Sequence, residues 1–292
     1  MKRNWLILLF CIVCNVAQCA TTLKEQLHAL VAPYRAEVGV AVIVDGKNTI
    51  AVNNEVKYPM MSVFKFHQAL AVADCLQRHK TSLDSVLFIP KSEFKQDTYS
   101  PLRDKYPNQD IHISIRELLT YTLQLSDNNA CDILFHHIIG VGDTDAYLRT
   151  LGVEDFAIVA NEDDMHHDES LCYANWSSPL ASAVLLDKLV SNDFLQGDYK
   201  EFIVRMMIEC GTGKDRLVKP LLGTDAVCGH KTGTGVRNAN GQIIGVNDIG
   251  FVLLPDGRRY AIAVYVKDSE ETLDTSSKII ADVSEIVYQY LK

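Results

Sequence analysis

The chain has 292 residues, 48% of them apolar and 22% charged, a balance that fits a packed globular protein rather than a disordered or fibrous one. Its formal net charge of −9 disfavours nucleic acid and anionic membrane surfaces as partners. Two of its basic residues, Lys2 and Arg3, stand at the very start, so the remainder is more acidic still.

Met1 to Ala20 carries that basic start, an apolar run from Trp5 to Val16 and then small residues. It reads as a secretory signal peptide, too short to span a bilayer as a helix. Cleavage near Cys19 or Ala20 would deliver the mature chain to the periplasm. Val16-Ala17-Gln18-Cys19 also faintly matches a lipoprotein signal, with Gln18 a poor fit before the cysteine. No second apolar stretch approaches the roughly 20 residues that a membrane span needs.

Thr22 to Ala36 has helical periodicity. Val38 to Val44 is a nearly continuous apolar run that turns at Asp45-Gly46 and resumes near Thr49, the pattern of a buried hairpin. From Met60 to about Ile208 the pattern is mostly helical, broken at Pro90, Pro101, Pro107 and Gly140. Strand-like runs return at Ala226 to Lys231, Gln242 to Leu254 and Arg259 to Val266, with Pro255-Asp256-Gly257 turning between the last two. Glu270 to Leu291 closes the chain as an amphipathic helix. Strands thus come from both ends and helices from the middle. The fold class expected is α+β: an antiparallel sheet flanked by N- and C-terminal helices, plus an inserted all-helical domain. Residues 21–58 and 209–292 would form a discontinuous α/β domain and 59–208 the all-α domain, with a site at their interface.

Five cysteines follow the leader, Cys75, Cys131, Cys172, Cys210 and Cys228; an odd number leaves at least one thiol unpaired within a monomer. None has zinc-finger spacing. His136-His137 and His166-His167 stand in no H-x-H-x-D or H-E-x-x-H pattern, so solvated or packing histidines are the expectation and no metal is assigned.

Three polar motifs carry the chemistry: Ser62-Val63-Phe64-Lys65, Ser126-Asp127-Asn128 and Lys231-Thr232-Gly233. S-x-x-K arises about once by chance at this length, whereas S-D-N and K-T-G are each expected only about 0.05 to 0.1 times. Ser92-Glu93-Phe94-Lys95 is the chance duplicate. Ser62 opens an apolar run, Val63, Phe64, Phe66, Leu70, Val72, Ala73 and Leu76, that reads as a buried helix and puts Lys65 at i+3, within reach. Ser92 follows Pro90 in a polar stretch without such support. Singly, the triplets have plainer readings: S-D-N can cap a helix, Lys65 can be a solvated lysine, and K-T-G can end a strand. Their joint order argues against those readings.

With S-x-x-K, S-D-N and K-T-G in this order, the chain resembles the class A serine β-lactamases, which share the set with penicillin-binding proteins. The resemblance implies a β-lactamase/transpeptidase-like fold and no cofactor. It further implies hydrolysis of a β-lactam through a serine acyl-enzyme by a monomer, with resistance to penicillins or cephalosporins as the benefit. Ser62 would be the nucleophile and Lys65 its partner. Ser126 and Lys231 would pass a proton to the departing lactam nitrogen. Glu162, in Ala160-Asn161-Glu162-Asp163-Asp164-Met165-His166, matches the glutamate that directs water onto the acyl-enzyme, with Asp163 and Asp164 as weaker rivals. Asn128 would bind the substrate amide, and the N–H groups of Ser62 and Thr234 would form the oxyanion hole. Lys231, Thr232, Gly233 and Thr234 would bind the substrate carboxylate, supported by Arg216; a surface or ion-pair role for Arg216 is the plainer reading. Tyr99 would flank the entrance, and His166 is the candidate for holding the water. Many relatives carry E-x-x-L-N and an arginine–aspartate pair closing this loop. Here Met165-His166 replace the first, and Ala160 and Asn175 the second, as in a divergent extended-spectrum, cephalosporinase-like subgroup. Met61 and Gly235 stand where family carbapenemases often link two cysteines. The alternatives are a D,D-peptidase, whose family lacks a counterpart of Glu162, and a non-catalytic β-lactam-sensing domain.

Overall fold

The computed structural model describes residues 21–191 and 194–292; the expected leader and its cleavage point lie outside the described residues. In chain order the first elements are α1 (Leu23–Val31), β1 (Glu37–Val44), β2 (Asn48–Val52), β3 (Tyr58–Pro59) and α2 (Phe64–His79). Then come β4 (Val86–Ile89), α3 (Pro101–Lys105), β5 (Ile111–Ser114), α4 (Ile115–Gln124), α5 (Asn128–His137) and α6 (Val141–Thr150). β6 (Phe156–Ala157), α7 (Glu162–His167), α8 (Ser170–Ala174), β7 (Trp176–Ser177), α9 (Pro179–Ser191) and α10 (Gly197–Ile208) follow. The chain closes with β8 (Val227–Thr234), β9 (Ile243–Leu253), β10 (Arg259–Ser269) and α11 (Leu273–Leu291).

β2-β1-β10-β9-β8 form one antiparallel sheet, and β1 pairs with β10 so that Val38 faces Val266 and Val44 faces Tyr260. Successive strand residues point to opposite faces, and here both faces are apolar. Val40, Val42, Ile262 and Val264 join Leu27, Ile280 and Val283 of α1 and α11 on one side. Ala41, Ile43, Phe251, Ala263 and Tyr265 join the helices of the central stretch on the other. A sheet buried on both faces explains why β1 reads as an unbroken apolar run. α2 is the hub of the helical side, with every residue from Phe64 to Asp74 buried.

The antiparallel sheet between terminal helices and a helical body is the architecture expected. Four details differ. α1 stops at Val31 rather than Ala36, because Pro33, two residues on, has no N–H to continue the helical hydrogen bonds. Pro101 starts α3 instead of breaking a helix, since Ser100 caps that end and proline suits the first turn. The mostly helical stretch also holds a two-stranded sheet (β4-β5) and two strands, β6 and β7, of a three-stranded one that β3 completes. α9, expected within the helical body, also packs on β1, β9 and β10.

Candidate active site

Met61 to Val63 form a short 3-10 turn leading into α2, with Met61 at φ +46°. Asn247 of β9 fastens the chain just before it, donating from Nδ2 to the carbonyls of Pro59 and Met60 at 2.8 and 3.1 Å. One turn on, Lys65 is fully buried, and its Nζ donates to Ser62 Oγ at 2.9 Å. The same Nζ reaches Asn128 Oδ1 (2.7 Å), the Ser126 carbonyl (3.1 Å) and Glu162 Oε1 (2.5 Å). Ser62 Oγ itself lies 3.5 Å from Glu162 Oε1. Ser92, the rival serine, is exposed in a short surface turn.

The S-D-N triplet does two jobs. Asp127 caps α5 through the N–H of Ala130 and accepts from Ser100 Oγ and the N–H of Leu102, so the plain capping reading holds for this residue. Its neighbours turn to the cleft. Ser126, held in the left-handed region at φ +59°, accepts at Oγ from Lys231 Nζ at 2.9 Å. Asn128 donates from Nδ2 to Thr98 Oγ1.

Lys231 arrives on β8 and is fully buried; burial first, and the Lys65 charge second, push its ammonium down to about 8. Gly233 has no room for a side chain: a Cβ would sit 2.5 Å from the Met60 carbonyl and 3.2 Å from the Ser62 nitrogen. Glycine therefore lets β8 press against the turn that presents Ser62. Arg216, also buried, donates to the carbonyls of Gly233 and Asn247 at 3.0 and 2.9 Å and to Thr234 Oγ1 at 2.7 Å. The surface reading of Arg216 is thereby corrected. Thr232 Oγ1 lies 2.6 Å from Thr212 Oγ1.

Glu162 begins α7, and Asp132 of α5 accepts from the N–H groups of Glu162 and Asp163 at 2.9 Å each. Burial and the Glu162 charge raise the Asp132 carboxyl to about 7 against those two hydrogen bonds. Where the arginine–aspartate pair is missing, the buried Asn175 closes the loop: Oδ1 accepts from Val159 and Ala160, and Nδ2 donates back to the Ala160 carbonyl. The His166 Nε2 is 2.9 Å from Asp97 Oδ2, so this ring ties α7 to the loop before Tyr99 rather than to Glu162. Asp163 pairs with Lys95 and Asp164 caps α7, which leaves Glu162 as the loop carboxylate on Ser62.

A cleft of about 570 Å³ collects Ser62, Ser126, Asn128, Glu162, Thr232 and Thr234, with Tyr99 and His166 on its wall. Tyr99 is 57% exposed, as an entrance residue would be. Met61 and Gly235 are neighbours here, a Cβ on Gly235 lying 3.3 Å from the Met61 methyl. Sequence reasoning missed Asp132, Asn247, Thr98 and Thr212. Asp132 had a signal, a carboxylate one turn after Asn128 beside the apolar run Ile133-Leu134-Phe135; the others are ordinary polar residues until folded. Among the described residues no group of side chains is arranged to hold a metal, and no helix is long and apolar enough to cross a membrane.

The family model described as the beta-lactamase enzyme family matches residues 22–291. A beta-lactamase of Bacteroides uniformis is 41% identical, over 94% of this chain and 93% of its own length. The extended-spectrum beta-lactamase PER-1 of Pseudomonas aeruginosa is 37% identical over 92% and 87%. The crystal structure of a class A beta-lactamase from Bacteroides cellulosilyticus superposes with a TM-score of 0.88 at 42% identity, covering 92% of this chain and 96% of that one. With the S-x-x-K, S-D-N and K-T-G side chains gathered in one cleft, the chain belongs to the class A β-lactamases, hydrolases that open β-lactams and confer resistance to them.

Proposed function

We propose that Ser62 attacks the lactam carbonyl, with Lys65 and Glu162 as the groups that take its proton. A serine hydroxyl is a weak nucleophile until a base removes that proton, and both groups lie within 3.5 Å of its oxygen. As the O–C bond forms, the N–H groups of Ser62 and Thr234 steady the oxyanion, and one such donor is worth roughly 10²–10³ in turnover. The C–N bond then breaks, and its nitrogen takes a proton from Ser126, resupplied from Lys231. Glu162 next removes a proton from water as it attacks the ester, which restores Ser62 and frees a substituted β-amino acid. Lys231, Thr232, Gly233 and Thr234, stiffened by Arg216, bind the substrate carboxylate. Asn128 binds the amide side chain, Tyr99 flanks it, and His166 helps shape that wall.

The single observation that carries this reading is the position of Lys65 Nζ, touching Ser62, Ser126, Asn128 and Glu162 at once. We place the mature monomer in the periplasm, with the active site between a helical lobe (59–208) and a sheet lobe (21–58 and 209–292). The likeness to the extended-spectrum beta-lactamase PER-1 supports an extended β-lactam spectrum here. The test mixes purified protein with a chromogenic cephalosporin: product far above one equivalent is expected, and a stoichiometric burst that stops would instead support a D,D-peptidase. Glu162→Ala should hold a covalent adduct visible by mass spectrometry; turnover at the parental rate would place the water-activating base elsewhere.

A further inference from the structure

Behind the K-T-G strand, three side chains that the proposed reaction does not use form a row. Asp248 of β9 is fully buried, and both its oxygens lie 3.0 Å from Nδ1 of the buried His230. His230 in turn hydrogen-bonds the thiol of Cys210, just beyond α10. Cys210 Sγ is 3.4 Å from Thr212 Oγ1, whose other neighbour, at 2.6 Å, is Thr232 Oγ1 in the cleft wall. A carboxylate–imidazole–thiol row of this kind makes a nucleophile, and its far end touches the pocket assigned to the substrate carboxylate.

The charges agree with the geometry. Burial alone would lower His230, but the Asp248 and Cys210 anions outweigh it and raise the ring to about 10. Burial would raise Cys210, but the hydrogen bond and charge of His230, with Lys231 adding to them, bring it down to about 7. Burial drives the thiols of Cys131, Cys172 and Cys228 the other way. Cys210 is 8% exposed, which admits only a small reagent.

We propose that Cys210 is an oxidation site for small hydroperoxides, assembled by His230 and Asp248, and that its modification disables the carboxylate pocket through Thr212 and Thr232. The thiolate attacks one peroxide oxygen, forming an S–O bond as the O–O bond breaks. Sulfur loses two electrons and the peroxide gains them. The leaving hydroxide takes the proton of the His230 imidazolium, giving water, a neutral ring and a cysteine sulfenic acid. The added oxygen occupies the space against Thr212 and displaces it from Thr232.

The probe is hydrogen peroxide, with a diketone trap for sulfenic acid and peptide mass spectrometry of the full chain at pH 7. Cys210 should be labelled about tenfold or more faster than Cys131, Cys172 or Cys228, because only its thiolate is substantially populated there. KM for a cephalosporin should rise with the labelled fraction more than kcat falls. Cys210→Ser, which keeps a hydroxyl toward Thr212, should turn over normally and resist peroxide, and His230→Gln should slow labelling. Cys210→Ala, with folding followed by circular dichroism, repeats the resistance test if the serine variant folds poorly. Labelling first at another cysteine overturns the proposal, as does an unchanged KM in fully labelled enzyme, or a Cys210→Ser enzyme as sensitive as the parent. The labelling readout stands apart from the catalytic roles proposed above, so failure of one is distinguishable from failure of the other.

Discussion

Lys231 shows what single residues contribute. Its side chain is buried beside a second lysine, so its charge is held weakly, at about 8. Above that pH it loses the positive charge proposed to attract the substrate carboxylate, and kcat/KM should fall as pH rises through about 8. Lys231→Arg should move that limb upward, because a guanidinium keeps its proton; a limb that stays put would assign it to another group. Ser62→Ala should abolish turnover while Ser92→Ala leaves it intact, measured by cephalosporin hydrolysis, and the reverse result would mean the wrong S-x-x-K was chosen. At this scale the sequence was highly legible: Ser62, Lys65, Ser126, Asn128 and Lys231 all stand in short motifs; the serines and Asn128 line the cleft, and the two lysines are buried against them. Arg216 was less so, because only the fold shows its guanidinium stiffening Gly233, Thr234 and Asn247.

The element that governs Glu162 is the loop from Ile158 to Ser177 with α7 inside it. Besides the surface pairs of His166 and Asp163, two buried side chains fasten it: Asn175 across the neck, and Asp132 under the first turn of α7. Asn175→Ala would leave the buried N–H of Ala160 without its acceptor, a cost of roughly 1–3 kcal/mol. Thermal unfolding should show the loss. Asp132→Ala frees the start of α7, so deacylation should slow more than acylation, read as a larger burst followed by a lower steady rate in stopped flow; equal loss in both steps would make Asp132 purely structural. The sequence revealed that the arginine–aspartate pair was absent here, and not that an amide would serve instead. His166 shows the same limit: its place near Glu162 was legible, whereas its Asp97 partner lies 69 residues away.

For the molecule as a whole, what matters is how closely the sheet meets the helices. Gly39 of β1 sits where a Cβ would come within 2.5 Å of the Tyr58 ring and 2.7 Å of Pro179, two of the residues that dock β3 and α9 on the sheet. Gly39→Ala should destabilise by about 1–3 kcal/mol through overpacking, seen as a lower denaturation midpoint with an unchanged slope. The His230–Asp248 pair adds a pH dependence. Because the folded pKa of His230 is raised from 6.5 to about 10, its contribution is complete below pH 6.5 and is lost as pH climbs through about 10. Lys231, lowered to about 8, acts oppositely, its burial becoming less costly as pH rises from there. The stability lost in Asp248→Asn should therefore be largest below pH 6.5 and shrink as pH climbs toward 10, read from thermal scans of parent and variant.

By itself the sequence determined the elements and the cast. Apolar runs fixed strands at both ends and helices between, since burial follows side-chain periodicity, and three motifs named the reacting groups. Only the tertiary structure decided which polar residues would serve them. Asp132, Asn175, Asn247, Thr212 and the Cys210–His230–Asp248 row gain their roles from contacts between residues remote in sequence. No local pattern announces such contacts, because a buried hydrogen bond is set by where the packed elements bring its two ends.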